Sequence, residues 1–167
     1  MKKISFLYLI SIGIILVSCG EKKAEKKEEG FQINRAKKEE KKETDENAIA
    51  LSSNDLMQFD KSELRVKEGK KVTLTLRHTG EMDKMVMGHN FVLLAQGTDI
   101  GAFAAEAASA RDTEYIPESD AIIAYTKLIG GGEVTTITFD APAVGTYDFI
   151  CSFPGHYGVM QGKFIVE

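Results

Sequence analysis

Apolar and polar residues alternate along several short stretches after residue 46. In residues 70–78, Val72, Leu74 and Leu76 alternate with polar residues. A period of two predicts a strand with one buried face. Residues 134–140 and 145–151 repeat the pattern, and weaker strand patterns cover residues 47–59, 90–95 and 163–166. Because turn signals separate these stretches at short intervals, the pattern predicts a β-sandwich.

Two stretches depart from the alternation. Residues 102–108 are rich in alanine, which has the highest intrinsic helix propensity, and they predict one short helix. Residues 81–84 are polar and predict a loop. The chain is therefore predicted to be all-β with a single short helix.

The N-terminus has a different pattern, typical of an export signal. Residues 1–18 begin with two lysines and continue as an apolar run of 14 residues, short for a membrane span. The run ends in a sequence that resembles the lipobox of bacterial lipoproteins. That resemblance implies cleavage before Cys19 and attachment of acyl chains to it, whereas a plain signal peptide or an uncleaved anchor is the alternative. Gly20 carries no acidic retention cue, so an outer-membrane position is favoured, with the domain facing the periplasm or the cell surface.

Residues 19–47 form a charged segment that predicts a tether. Residues 20–47 contain nine basic and nine acidic residues and few large apolar ones, too few to build a core. Ten basic and 16 acidic residues remain for residues 48–167, which gives this domain a net charge of −6. An acidic domain without a basic patch argues against a nucleic-acid partner.

The chemistry of the chain is concentrated in residues 151–160. This stretch places a thiol, an imidazole and a thioether, from Cys151, His156 and Met160, around a Pro-Gly turn. A soft thiolate and imidazoles suit both oxidation states of copper, and a weak thioether bond tunes its reduction potential. The pattern therefore predicts a copper electron-transfer centre holding one Cu(I)/Cu(II) ion, and His89, just before another apolar run, supplies the second imidazole.

Each of these residues also has an ordinary structural explanation when taken alone. A cysteine after an apolar strand is usually a buried thiol, a methionine near a terminus is usually core, and a histidine after Pro-Gly usually lies in a surface loop. The spacing of the three residues and the presence of His89 favour the metal centre. A lone thiol in an exported protein also risks oxidation, and metal ligation would protect Cys151 from it; a disulfide with Cys19 is the less favoured alternative.

The chain from about residue 47 resembles the azurins, type 1 (blue) copper proteins with the cupredoxin fold. The resemblance rests on residues 54–59, 86–93, 126–130 and 151–160, which occur in the family's order. It implies a cupredoxin-like Greek-key β-sandwich in which the helix at 102–108 forms a flap.

The resemblance also implies the roles of individual residues. His89, Cys151 and His156 would be the equatorial copper ligands, Met160 the weak axial ligand, and the backbone carbonyl of Gly88 a distant second one. Asn90 would tie the two ligand loops together by hydrogen bonds, Phe153 would lie beside the ligands, and His78 would be a core histidine near the site but off the metal.

Electron transfer is the function that this reading favours. The expected docking patch comprises Met87, Phe153, Pro154 and Gly155, and the expected partners are redox proteins such as c-type cytochromes or a terminal reductase or peroxidase. A copper carrier or storage lipoprotein is the alternative, but such proteins use exposed, exchangeable ligands, and the chain has only three histidines. An enzyme such as a copper nitrite reductase would need a second metal site with further histidines, so no enzymatic activity is expected. A binding or adhesion module remains a further alternative.

Overall fold

The structure is a computed structural model, and it describes residues 46–167. The expected signal peptide at 1–18, the lipidation of Cys19 and nearly all of the tether at 19–47 lie outside the described residues. Among residues 46–167, no helix combines the length and the apolar character that a membrane crossing requires.

Within residues 46–167, nine strands form two sheets. In chain order the strands are β1 (Ala48–Asn54), β2 (Gln58–Phe59), β3 (Glu63–Val66), β4 (Lys71–His78), β5 (Val92–Leu94), β6 (Ile122–Tyr125), β7 (Val134–Asp140), β8 (Gly145–Ile150) and β9 (Gln161–Val166). The first sheet has the order β2-β1-β4-β7 and the second the order β3-β9-β8-β5-β6. Pairing is parallel between β1 and β4 and between β3 and β9, and antiparallel elsewhere. This confirms the predicted all-β cupredoxin sandwich.

The main core lies between the two sheets. It is built from the apolar residues of the alternating strands, which point inward at every second position: Leu51, Leu64, Val72, Leu74, Leu76, Leu93, Phe149 and Phe164. The polar residues that alternate with them along each strand point to the opposite face of the sheet, towards solvent, as the period of two requires. The alternation of the sequence therefore fixes which face of each strand is buried.

Helix α2 (Ile100–Ser109) covers the outer face of the second sheet. Phe103 and Ala107 pack there against Val92, Leu94 and Ile150. Strand β5 is consequently buried on both faces, which explains its unbroken apolar run. The helix predicted at 102–108 is confirmed as the centre of α2.

A one-turn helix, α1 (Lys84–Met87), begins at the last residue of the segment 81–84 predicted as a polar loop. The Asp83 side chain caps it by accepting a hydrogen bond from the Met85 amide at 2.7 Å. The alternation pattern gave no signal for so short a helix. Its importance lies in its position, because α1 leads directly into Gly88 and His89.

Candidate metal centre

Three buried side chains bring their donor atoms together at one end of the sandwich. The donor atoms of His89, Cys151 and His156 all lie within 4.8 Å of one another. The Cys151 Sγ is 3.9 Å from His89 Nδ1 and 3.7 Å from His156 Nδ1. The exposed fractions are 0% for His89 and Cys151 and 4% for His156.

This donor set fits a copper ion. With metal bonds of about 2.0 Å to nitrogen and about 2.3 Å to sulfur at an angle of about 120°, the nitrogen and sulfur atoms lie about 3.7 Å apart. The two observed sulfur–nitrogen distances of 3.9 and 3.7 Å match that spacing. Two imidazoles and one thiolate in a trigonal arrangement are the donors of a blue-copper centre.

A backbone hydrogen bond fixes the tautomer of His89. Its Nε2 lies 2.9 Å from the carbonyl oxygen of Asn54, which can only accept a hydrogen bond. The ring proton therefore sits on Nε2, and the lone pair of Nδ1 faces Cys151. The backbone of His89 is held as well, because its N–H and C=O each bond to Ile129 at 2.9 Å.

His78 stacks on His89 but has no nitrogen free for a metal. The two rings are 4.4 Å apart and inclined by 20°. His78 Nε2 donates to the Met87 carbonyl at 3.0 Å, and its Nδ1 accepts from the Gly80 amide at 3.0 Å. Both nitrogens are thus engaged within the protein, consistent with the expectation of a core histidine beside the site.

Residues 151–160 form a loop closed by its own backbone. The Cys151 amide donates to the Met160 carbonyl at 2.9 Å, and the Met160 amide donates to the His156 carbonyl at 2.8 Å. Gly155 adopts φ +85°, a conformation that glycine reaches without strain. This turn returns His156 and Met160 towards Cys151.

Met160 and Gly88 both lie close to Cys151. Met160 is fully buried and belongs to the same apolar cluster as Cys151, Phe153 and Leu128. The Gly88 carbonyl oxygen is 3.9 Å from Cys151 Sγ. A Cβ at residue 88 would fall 2.8 Å from the Leu128 side chain, so only glycine allows the backbone to approach this closely.

Asn90 and Ser152 link the two ligand-bearing segments. Asn90 Nδ2 donates to Ser152 Oγ, and Asn90 Oδ1 accepts from the Ser152 amide, both at 2.8 Å. Ser152 Oγ in turn donates to the Tyr115 carbonyl at 2.7 Å. All these atoms are buried, where hydrogen bonds hold geometry most firmly. Ser152 gave no sequence signal, because its partners are distant along the chain.

Burial shapes the protonation of the three donors. It lowers the pKa of His89 and of His156 to about 4, so both imidazoles are neutral at pH 7. It raises the pKa of Cys151 to about 11, although hydrogen bonds from the Asn90 and Phe153 backbones oppose the rise. Metal binding at neutral pH therefore displaces a proton from the thiol and none from the imidazoles.

The residues expected in the docking patch differ in exposure. Pro154 and Gly155 are exposed and Met87 is partly exposed. Phe153 is only 9% exposed; its ring packs edge-on against Tyr115 and lies 4.7 Å from the ring of His156. Several large apolar side chains at this end of the molecule, which the sequence did not single out, are more exposed: Leu56 (72%), Met85 (54%), Val86 (62%) and Val159 (64%).

This chain is similar to known copper-binding proteins. Residues 45–167 match the model for copper binding proteins of the plastocyanin/azurin family. Azurin-1 of Alcaligenes xylosoxydans xylosoxydans is 43% identical over 120 residues, which are 69% of this chain and 93% of that protein. Outer membrane protein H.8 of Neisseria gonorrhoeae is also 43% identical over 120 residues, 70% of this chain and 65% of that protein.

Solved structures agree with these relatives. The crystal structure of dithionite-reduced auracyanin from the photosynthetic bacterium Roseiflexus castenholzii superposes with a TM-score of 0.66 at 36% identity. The match covers 72% of this chain and 97% of that one. The fold therefore agrees with that of a solved relative, and the matched family is one of copper-binding proteins.

Proposed function

The chain belongs to the plastocyanin/azurin family of copper-binding proteins, and on that premise we propose that it carries single electrons between redox proteins. The proposed ligands are His89, Cys151 and His156, with Met160 as a weak axial ligand and the Gly88 carbonyl as a distant one. The observation that carries the proposal is the set of three buried donors at trigonal spacing. In this role the protein is an electron carrier rather than an enzyme.

The protein's contribution is to hold the donors still. Copper, when bound, supplies a one-electron couple. Hydrogen bonds to Asn54, Ile129 and Ser152 fix the segments that bear the donors, so a change of oxidation state requires little rearrangement. A site held in this way favours fast electron transfer, because it does not strongly prefer one oxidation state of copper over the other.

His156 is the donor nearest to solvent, and it marks the route for electrons. It follows the exposed Pro154 and Gly155, and the segments that bear or hold the donors also carry the exposed Leu56, Val86 and Val159. An apolar surface of this kind suits brief docking over a small interface. We infer partners that present a redox centre close to an apolar surface, such as c-type cytochromes or a terminal reductase or peroxidase.

We further propose that the domain is tethered in the cell envelope by lipid on Cys19. Support comes from the sequence around Cys19 and from the similarity to H.8, a protein named for the outer membrane. Acyl chains add about 0.8 kcal/mol of membrane affinity per buried CH₂. Cys19→Ala should therefore release the processed protein from membrane fractions or stall its processing, and unchanged retention of a processed variant would argue against lipidation.

Visible spectroscopy and voltammetry together test the function. The copper-loaded domain should show an intense thiolate-to-copper band, bleach on reduction and recover on reoxidation over many cycles. A copper carrier would instead release its ion readily to a chelator in both states. A colourless Cu(II) complex, or one whose copper exchanges within seconds, would overturn the electron-transfer proposal.

A further inference from the structure

Glu114 lies outside the donor set, yet its carboxylate connects two segments next to it. One oxygen, Oε1, accepts from Lys84 Nζ at 2.9 Å, and the other, Oε2, accepts from the Leu128 amide at 3.0 Å. Lys84 is the first residue of α1, and Leu128 precedes Ile129, the backbone partner of His89. A single side chain thus bridges both flanks of the His89 segment.

Both partners of Glu114 also pack against Gly88. A Cβ built at Gly88 would lie 2.4 Å from the Lys84 carbonyl oxygen and 2.8 Å from Leu128 Cδ2. The Gly88 backbone is therefore confined between two residues, Lys84 and Leu128, that Glu114 bonds through other atoms, the Lys84 ammonium group and the Leu128 amide. Its carbonyl oxygen, 3.9 Å from Cys151 Sγ, faces the metal centre.

The backbone of Glu114 makes a second connection. Glu114 and Tyr115 both have positive φ, 55° and 65°, which is unusual for side chains of their size. This turn points their carbonyl groups at the link between the ligand segments: Glu114 O accepts from Asn90 Nδ2 at 3.5 Å, and Tyr115 O accepts from Ser152 Oγ at 2.7 Å. Strained backbone persists where surrounding contacts hold it, and the bonds of the Glu114 carboxylate are among those contacts.

We propose that Glu114 is a positioning residue for the metal centre, acting through Lys84 and Leu128 on the Gly88 carbonyl and on His89. This rests on the proposed ligand set. When the bonds from Glu114 to Lys84 and Leu128 are lost, the Gly88 carbonyl oxygen, a hard donor, and the His89 imidazole are held less firmly. Cu(II), which prefers these donors, then loses more support than Cu(I).

Three variants separate positioning from simple charge. Glu114→Ala removes both carboxylate bonds, Glu114→Gln keeps an acceptor for the Leu128 amide, and Lys84→Met removes only the ammonium group. Positioning predicts a higher reduction potential and faster loss of Cu(II) to a chelator in all three, with Glu114→Ala affected most and at least threefold in rate. Electrostatics alone predicts opposite shifts of potential for Glu114→Gln and Lys84→Met, because one removes a negative charge and the other a positive charge.

The chain offers a matched control at the opposite end of the sandwich. Glu68 Oε1 accepts from the Val144 backbone amide at 3.0 Å, as Glu114 does from Leu128. Val144 precedes β8, whose far end leads into Cys151, so the six-residue strand, about 20 Å long, separates it from the site. Glu68→Ala should leave the potential, the absorption band and the copper release rate unchanged.

Hydrogen exchange of the apoprotein gives a readout that does not depend on copper. The amides of His89 and Ile129 should exchange at least tenfold faster in Glu114→Ala than in the parent or in Glu68→Ala. Parental exchange rates and parental copper release in all three site variants would overturn the inference, as would potentials that follow charge alone. If Glu114→Ala does not fold, Glu114→Gln and Lys84→Met carry the same test. A parent protein that is not blue would instead overturn the proposed function. The exchange rates of the apoprotein would still test whether Glu114 holds the His89 segment in place.

Discussion

The two segments that carry the proposed copper ligands are built in opposite ways. The loop arm, residues 151–160, contributes Cys151, His156 and Met160 from one stretch closed by its own backbone hydrogen bonds. The histidine arm, residues 87–90, contributes His89 and the Gly88 carbonyl. It is positioned by residues far away in the chain, of which Asn54 is 35 residues distant from His89.

This difference has a consequence for assembly. The loop arm is shaped mainly by its own backbone hydrogen bonds and by strands β8 and β9 on either side of it, and Ser152 links it to Asn90 and Tyr115. The histidine arm has its final place only when β1, β4 and the segment at 126–130 are packed around it. A complete site therefore presupposes a complete sandwich, and metal affinity and folding stability are coupled.

The largest expected effect comes from breaking the loop arm at its thiol. Cys151→Ser replaces the soft sulfur by oxygen, a poor donor for this site. We expect complete loss of the intense absorption near 600 nm that the family resemblance implies, while thermal melting of the apoprotein shows that the domain still folds. A Ser variant that stays as blue as the parent would remove Cys151 from the ligand set.

The second prediction compares the two arms through their histidines. The pKa of both His89 and His156 is lowered from 6.5 to about 4 by burial. Between these values the unfolded chain binds protons that the folded apoprotein does not. The contribution of the two histidines to the free energy of unfolding is therefore fully present above pH 6.5 and falls by several kcal/mol as the pH drops towards 4.

Urea unfolding of the apoprotein between pH 7.5 and 4.5 measures this loss. Replacing either histidine by glutamine should remove about half of the pH dependence if the two arms contribute equally. Asp55 and Glu114, whose pKa values are lowered, add to the loss in the same direction but at lower pH. A flat profile above pH 5 would show that the imidazoles are protonated as easily in the fold as in the unfolded chain.

The third prediction cuts the link between the arms. Asn90→Ala removes both 2.8 Å bonds to Ser152 and leaves the buried Ser152 amide without its acceptor. An orphaned buried donor and the lost bonds cost about 2–4 kcal/mol of unfolding free energy. Denaturation of apoprotein and copper-loaded protein measures the cost. Ser152→Ala is the matched control, because it keeps the hydrogen bond from the Ser152 amide to Asn90 Oδ1 and should lower the free energy of unfolding by less. Equal losses in the two variants would show that the Ser152 hydroxyl, rather than the Asn90 link to the amide, stabilises the fold.

The same contrast explains what the sequence could predict. The loop arm can be predicted because three chemically distinctive side chains lie within ten residues around a Pro-Gly turn. The sandwich can be predicted because the alternation of apolar and polar residues indicates which face of each strand is buried. Ser152, Glu114 and the carbonyl of Asn54 carried no signal, since each acts through partners more than 10 residues away.

Some features of the fold escaped the sequence for related reasons. Helix α1 is a single turn, too short to show a helical period, and it owes its place to the Asp83 cap and to packing beside Gly88. Strands β1 and β4 pair in parallel although two other strands lie between them in the chain. Because no single turn connects the two strands, no turn signal in the sequence indicates this pairing. The sequence indicates His89 as a ligand through its place before an apolar run and through the family resemblance of residues 86–93, but the orientation of its ring depends on the fold.

The smallest expected effect on stability, and the sharpest test of the loop arm, concerns Met160. The side chain is fully buried against Cys151 and Phe153, so it is either a weak ligand or simply core. A thioether supports Cu(I) better than an amide oxygen does, and an aliphatic group supports neither state. Met160→Gln should therefore lower the reduction potential and Met160→Leu should raise it, with both variants still binding copper. If the residue is only core, leucine conserves volume at a cost under about 1.5 kcal/mol and the potential stays at the parent value, while glutamine mainly destabilises through its buried amide. Voltammetry and thermal melts of the two variants separate these outcomes, and equal potentials in both variants and the parent would exclude Met160 as a ligand even in a protein that is blue.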